Sequence, residues 1–205
     1  MVKNQIIYII GFMGSGKSTA GKKLASLLGW AFIDLDKSIE EYTGKTIPEI
    51  FSQKGEAYFR AIETQLLRNP QSQTNTIIST GGGTPCHSDN MDFMLGTGLT
   101  LYLKLTPKEL QSRLSESKGD RPLIKDLNQK ELLHFIEEKL ADREQWYDRS
   151  DIIVDGMDLD IKCCTPVLFP GLTADFFKTS HQMYSPPSLL RHQMYSPPFI
   201  PLSKN

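Results

Sequence analysis

Cysteine, tryptophan and net charge are all scarce in this sequence. Three cysteines occur in 205 residues, two of them adjacent at Cys163 and Cys164, a spacing that makes neither a disulfide framework nor a zinc site. A formal net charge of −1 excludes a protein that coats nucleic acid by bulk charge. Long apolar runs are missing too. Stretches such as Ile6–Ile10 fall far short of the roughly 18 residues that cross a bilayer. No charged-then-apolar leader with a small-residue cleavage site opens the sequence. Together these absences predict a soluble cytoplasmic protein of a reducing compartment, with neither a membrane nor a nucleic acid as partner.

What is present is a composition able to pack a core, 39% hydrophobic and 23% charged. At about 150 residues per domain, the length gives one domain with some chain left over. The residues are not evenly spread. Positions 162–205 hold four basic residues, one acid and seven of the twelve prolines. They also repeat His-Gln-Met-Tyr-Ser-Pro-Pro, from His181 and again from His192. Doubled prolines remove backbone donors and fix φ, which suits neither a helix nor a central strand. The expected organisation is a globular domain over 1–160 and an irregular, poorly ordered tail over 161–205.

Within the first 160 residues, strand-like and helix-like segments alternate. Expected strands are Ile6–Ile10, 31–35, Thr76–Ser79, 99–105 and 152–154. Expected helices are Lys17–Leu28, a short one opened by Pro48 near 49–51, 56–67, 107–115 and 130–147, the last capped by Asn128. Strands separated by helices imply βαβ crossovers, so the predicted fold class is α/β, with a parallel sheet of about five strands covered on both faces.

Gly11-Phe12-Met13-Gly14-Ser15-Gly16-Lys17-Ser18 fits G-x-x-x-x-G-K-[ST] without a mismatch. It follows an apolar strand and opens an amphipathic helix, the context that this phosphate-binding loop requires. Its glycines let successive N–H groups face one concavity, and the helix N-terminus adds partial positive charge. Gly14, Ser15, Gly16, Lys17, Ser18 and Thr19 are the expected nucleotide contacts, with Lys17 reaching the terminal phosphates and Ser18 ligating Mg²⁺. The loop does not name the acceptor. No Asn-Lys-x-Asp guanine-reading segment is present, and the size favours a small kinase over a motor.

Other residues bear on the acceptor. Asp34 and Asp36 fall at the end of the second strand, where ligands of open α/β sheets bind, and strand alternation would put both carboxylates on one side. Either one serves the Mg²⁺ water shell and the other a substrate hydroxyl, or both are ordinary acidic caps at a solvated helix N-terminus. Arg60 and Glu63, three apart on a helix, make either an oriented guanidinium for carboxylate capture or an exposed ion pair. Thr80-Gly81-Gly82-Gly83-Thr84 offers close backbone approach or a loose turn. Arg121, in Gly119-Asp120-Arg121-Pro122-Leu123, suits a loop that closes over phosphates. Arg143 is a second carboxylate contact or a surface residue.

Taken together, these motifs resemble the shikimate kinase family over roughly residues 5–155. The match consists of the loop at 11–18, Asp34-x-Asp36, Phe59-Arg60-x-x-Glu63, Gly81-Gly82-Gly83, Arg121-Pro122-Leu123 and Arg143-x-x-x-Tyr147, in order. The segment at 43–51 is similar to the family's substrate-binding segment. The resemblance implies phosphorylation of the 3-hydroxyl of shikimate by ATP with Mg²⁺, a step in chorismate and aromatic amino acid synthesis, by a monomer. It implies Asp36 at the ring hydroxyls and as base, and Asp34 with Ser18 at the metal. Arg60 and Arg143 would hold the substrate carboxylate, with Gly82 and Gly83 as backbone donors. Arg121 would close over the phosphates, Arg113 would sit near adenine, and Phe51, Phe59 and Pro122 would line the pocket. Lys17, Asp36 and Arg121 are the catalytic set it implies. The tail does not match: the family's terminal helix has no counterpart in 161–205, which reads as a replaced or shifted terminus. The competing readings are a kinase of another small hydroxy acid, such as gluconate, and a nucleotide-binding protein whose catalysis the altered terminus impairs.

Overall fold

Apolar residues at Ile6–Ile10 form strand β1, buried along its last four residues. The loop that follows leads into α1 (Lys17–Leu28). The computed structural model describes residues 5–69, 75–116, 124 and 127–157. The chain divides into a first unit, Met1–Lys162, and a second, Cys163–Asn205; all described residues belong to the first. The expected tail and the Arg121–Pro122 segment lie outside them.

After α1 come β2 (Ala31–Asp34), α2 (Leu35–Thr43), α3 (Ile47–Arg68), β3 (Thr76–Ser79), a short 3₁₀ turn (Thr84–Cys86), α4 (Asn90–Thr97), β4 (Leu99–Lys104), α5 (Pro107–Glu116), α6 (Gln129–Tyr147) and β5 (Ile152–Asp155). The strands form one parallel sheet in the order β2-β3-β1-β4-β5. Ile9 pairs with Ser79 on one side of β1, and Ile10 with Tyr102 on the other. The chain thus leaves β1 toward β2 on one flank and later crosses to β4 on the other. This reversal opens a crevice at the carboxyl ends of β1 and β3.

Alternation along each strand supplies two faces. Tyr8, Ile10, Ile78 and Tyr102 join a cluster with Phe59, Leu67, Met91, Met94, Ile136 and Tyr147. The opposite face presents Ile9 and Phe32 to α1, which approaches so closely that a Cβ on Gly21 would fall 2.5 Å from the Phe32 ring. Capping boxes start three helices: Thr46 with Glu49 opens α3, Thr106 with Glu109 opens α5, and Asn128 with Glu131 opens α6. Among the described residues no helix is long and apolar enough to cross a membrane.

The fold departs from the sequence expectations in two places, the end of β2 and α4. The segment expected to end β2 at Leu35 instead turns helical there. The Asp34 side chain accepts from the Lys37 amide and caps α2, while buried Leu35 continues the apolar run past the end of the strand. The two helices expected around 49–51 and 56–67 are both present within α3, meeting at a break where Gly55 holds φ 79°, ψ 173°. The helix α4 went unread because its eight residues carry no polar stripe long enough to show a period.

Gly98 joins α4 to β4 against the start of β1. A Cβ there would lie 2.5 Å from the Ile6 carbonyl oxygen and 2.8 Å from the Tyr8 ring. The backbone atom cannot step aside without disturbing the sheet. Gly98→Ala is expected to cost about 1–3 kcal/mol, which for a chain of this size lowers Tm by roughly 2–4 °C per kcal/mol. Calorimetry checks this; an unchanged Tm would show that the strand end yields freely.

Candidate active site

The loop between β1 and α1 is shaped by its glycines. Gly14 and Gly16 hold φ of 81° and 92°, a region that residues with a Cβ seldom enter. Gly16 is the N-cap of α1, and no side chain caps that end. The amides of the first turn are thereby left to an anion, with the helix dipole behind them. Buried Ser15 has an Oγ with no hydrogen-bond partner. Lys17 is buried and folds back across the loop, donating from Nζ to the Phe12 carbonyl at 2.9 Å. Thr19 lies exposed on α1. This concavity of amides, an ammonium and an unpartnered hydroxyl fits a polyphosphate.

Ser18 Oγ donates to Asp34 Oδ2 at 2.7 Å and lies 3.3 Å from Ser79 Oγ. A hydroxyl beside a carboxylate is the hard oxygen set that Mg²⁺ takes. No group of three or more His, Cys, Asp or Glu side chains able to hold a metal occurs among the described residues. A Mg²⁺ that keeps water and phosphate ligands needs no such cage. On the far side of the loop, Arg113 donates to the Ser15 carbonyl at 3.0 Å and to the Gly156 carbonyl at 2.9 Å. It fastens α5 to both the loop and the turn after β5.

The acceptor side is assembled around the glycines after β3. Asp36 stands in the first turn of α2, not on the strand, so strand alternation is not what brings it beside Asp34. Burial is the main cause that lifts its pKa to about 6; the Lys17 ammonium opposes the rise, and the charges of Asp34, Glu63 and Glu40 add to it. A Cβ on Gly81 would sit 3.0 Å from both Asp36 Oδ1 and Glu63 Oε1. Glu63 is fully buried. It accepts from Arg60 Nη1 at 2.8 Å and from the Thr84 hydroxyl at 2.6 Å, so the Arg60–Glu63 pair is an interior one and not an exposed helix pair. Glu56 Oε1 accepts from Arg60 Nε at 3.2 Å and from Nη2 at 3.1 Å.

Both arginines converge on this turn. A Cβ on Gly83 would come within 2.7 Å of Arg60 Nη2, and one on Gly82 within 3.4 Å of Arg143 Nη1 and 3.2 Å of the Met13 amide. The absence of side chains at Gly82 and Gly83 is what admits the guanidinium groups. Arg143 also lies over the Phe12 ring at 5.3 Å. One turn further along α6, the Tyr147 hydroxyl donates to the Gly82 carbonyl. Phe51 and Phe59 pack with ring centroids 4.8 Å apart, Phe59 buried and Phe51 partly exposed.

The structure thus gathers Lys17, Ser18, Asp34, Asp36, Arg60, Gly82, Gly83 and Arg143 along the same edge of the sheet. Arg121 and Pro122 lie outside the described residues. Sequence reasoning passed over Glu56 and Gly156 as site neighbours, and took Thr84 only as part of the glycine turn. Only Glu56 carried a signal, its position four residues before Arg60 on a helix.

Comparison with known proteins agrees with this arrangement. The family model for shikimate kinase matches residues 13–165. A shikimate kinase of Parabacteroides distasonis is 44% identical over 150 residues, covering 73% of this chain and 87% of the relative. One of Persephonella marina is 42% identical over 146 residues, covering 71% and 85%. The crystal structure of shikimate kinase from Bacteroides thetaiotaomicron superposes with a TM-score of 0.75 at 39% identity, covering 81% of this chain and 97% of that one. The structure of the Acinetobacter baumannii shikimate kinase in complex with shikimate gives 0.71 at 33%, covering 83% and 96%. A phosphate loop facing paired arginines, on a sheet whose sequence and topology match these enzymes over nearly their full length, means that this chain is a kinase and belongs to the shikimate kinase family.

Proposed function

We propose that the chain transfers the γ-phosphoryl group of ATP to the 3-hydroxyl of shikimate, giving shikimate 3-phosphate and ADP. The observation that carries this reading is the convergence of Arg60, Arg143 and Asp36 on Gly81–Gly83, next to the phosphate loop. Two guanidinium groups suit one carboxylate, and an aspartate suits ring hydroxyls. ATP with Mg²⁺, when bound, supplies the electrophilic phosphorus and neutralises charge on its oxygens. The loop amides and Lys17 hold the phosphates, while Ser18 and Asp34 hold the cation. Arg60 and Arg143 fix the acceptor's carboxylate, with Gly82 and Gly83 as backbone donors and Phe51, Phe59 and Pro122 as walls. Asp36 hydrogen-bonds the ring hydroxyls and takes the proton released by the 3-hydroxyl. Arg121 closes over the phosphates and Arg113 sits near adenine. Residues 1–160 are assigned as the kinase domain; the tail expected over 161–205 lies outside the described residues. The chain is assigned as a monomer of the cytoplasm.

Four measurements bear on it. In an ADP-release assay, shikimate is expected to turn over at least tenfold faster than quinate or gluconate; equal rates would sink the acceptor assignment. Asp36→Asn is expected to lower kcat about 10²–10⁴-fold with nucleotide affinity retained. The same variant reports on stability. The Asp36 pKa is raised on folding, so its ionisation at neutral pH opposes the folded state. That opposition is absent below about pH 4 and complete above about pH 6. Asp36→Asn is therefore expected to be about 1–3 kcal/mol more stable than the parent at pH 7.5, with the gap closing at pH 4. Arg60→Lys, which keeps the charge and loses the planar fork, is expected to raise the KM for shikimate about tenfold or more; an unchanged KM would remove Arg60 from the site.

A further inference from the structure

The guanidinium of Arg60 is already engaged on two sides. Nη1 meets Glu63, whose side chain is fully buried and fixed by the Thr84 hydroxyl. The opposite edge, Nε with Nη2, is the planar fork that matches a carboxylate. Here that fork closes on one oxygen of Glu56, at 3.2 and 3.1 Å. The two carboxylates differ in how they are held. Glu56 is 58% exposed while Arg60 is 19% exposed, so the outer pair can open to solvent and the inner one cannot. Glu56 begins the part of α3 beyond the Gly55 break, four residues before Arg60, the spacing at which helix side chains meet. His87 is the other basic neighbour of Glu56, at 3.9 Å. Burial and the Arg60 charge hold the His87 pKa below its usual value, so at neutral pH it leaves Glu56 to Arg60.

We propose that Glu56 is an internal competitor for the acceptor's carboxylate: its side chain occupies the fork of Arg60 in the free enzyme, and the substrate anion must displace it. The inference rests on the reading of Arg60 given above. It makes Glu56 a determinant of substrate affinity that acts through Arg60 without touching the reacting atoms. An incoming anion meets one guanidinium faced by two carboxylates, so part of its binding is spent on exchange. Removing the outer carboxylate removes that exchange equally from ground and transition states, which is the pattern of uniform binding.

The test is Glu56→Gln, with Glu56→Ala as a second variant, checked for an unchanged circular dichroism spectrum. Titration calorimetry with shikimate and steady-state kinetics are run beside the parent and Arg60→Lys. Exposed ion pairs of this kind have modest strength, so Kd and KM for shikimate are expected to fall about two- to fivefold in both Glu56 variants, with kcat moving less than twofold. A Kd that rises or stays the same would overturn the proposal, a rise making Glu56 a holder of Arg60 instead. Arg60→Lys separates the two levels. If it raises KM while the Glu56 variants fail to lower it, the competitor role alone is wrong. If it leaves KM unchanged, the carboxylate role of Arg60 falls first.

Discussion

The parallel register of β1 on β3, with Ile9 opposite Ser79, sets two loops side by side that lie about 70 residues apart in the chain. The loop after β1 carries backbone amides and Lys17; the turn after β3 carries Gly81–Gly83. Thr80 locks the two together, its amide and its hydroxyl both donating to the Ile9 carbonyl at 3.1 and 3.2 Å. A slip of one residue would turn every β3 side chain to the opposite face and withdraw the glycines from Met13. The burial of all four residues of β3 on a sheet packed on both faces makes such a slip costly.

Negative charge is concentrated on the acceptor side. Asp34, Glu40 and Glu63 all raise the Asp36 pKa, and the Lys17 ammonium opposes them. Such crowding opposes folding. It is offset by pairing the deepest carboxylate, Glu63, with both a guanidinium and a hydroxyl, since a buried charge left unpaired is strongly destabilising. Burial with this crowding lifts the Asp36 pKa to about 6, which suits the base role proposed for it.

Much of this was legible in the sequence. The loop at 11–18 announces itself because its glycine spacing, preceding strand and following helix all serve the same anion. The triple glycine and the Arg60–Glu63 spacing marked residues whose convergence depends on topology, which the family resemblance supplied. What could not be read was local. Asp34 serves at once as the end of β2, the cap of α2 and the partner of Ser18, and no periodicity separates these roles. Thr84 looks like any turn residue until Glu63 is found buried against it. Arg113 was expected near adenine, yet its bonds to the Ser15 and Gly156 carbonyls involve backbone atoms that carry no sequence signal.

The bond from Tyr147 to the Gly82 carbonyl has a bearing on how the enzyme tolerates alkaline solution. Burial lifts this phenol well above the usual tyrosine range, so it keeps its proton, and with it its grip on the glycine turn, long after surface tyrosines have ionised. Arg143, one helical turn earlier on α6, inherits that constancy. The placement of Arg143 beside Gly82 therefore does not depend on a phenol that ionises in the usual tyrosine range.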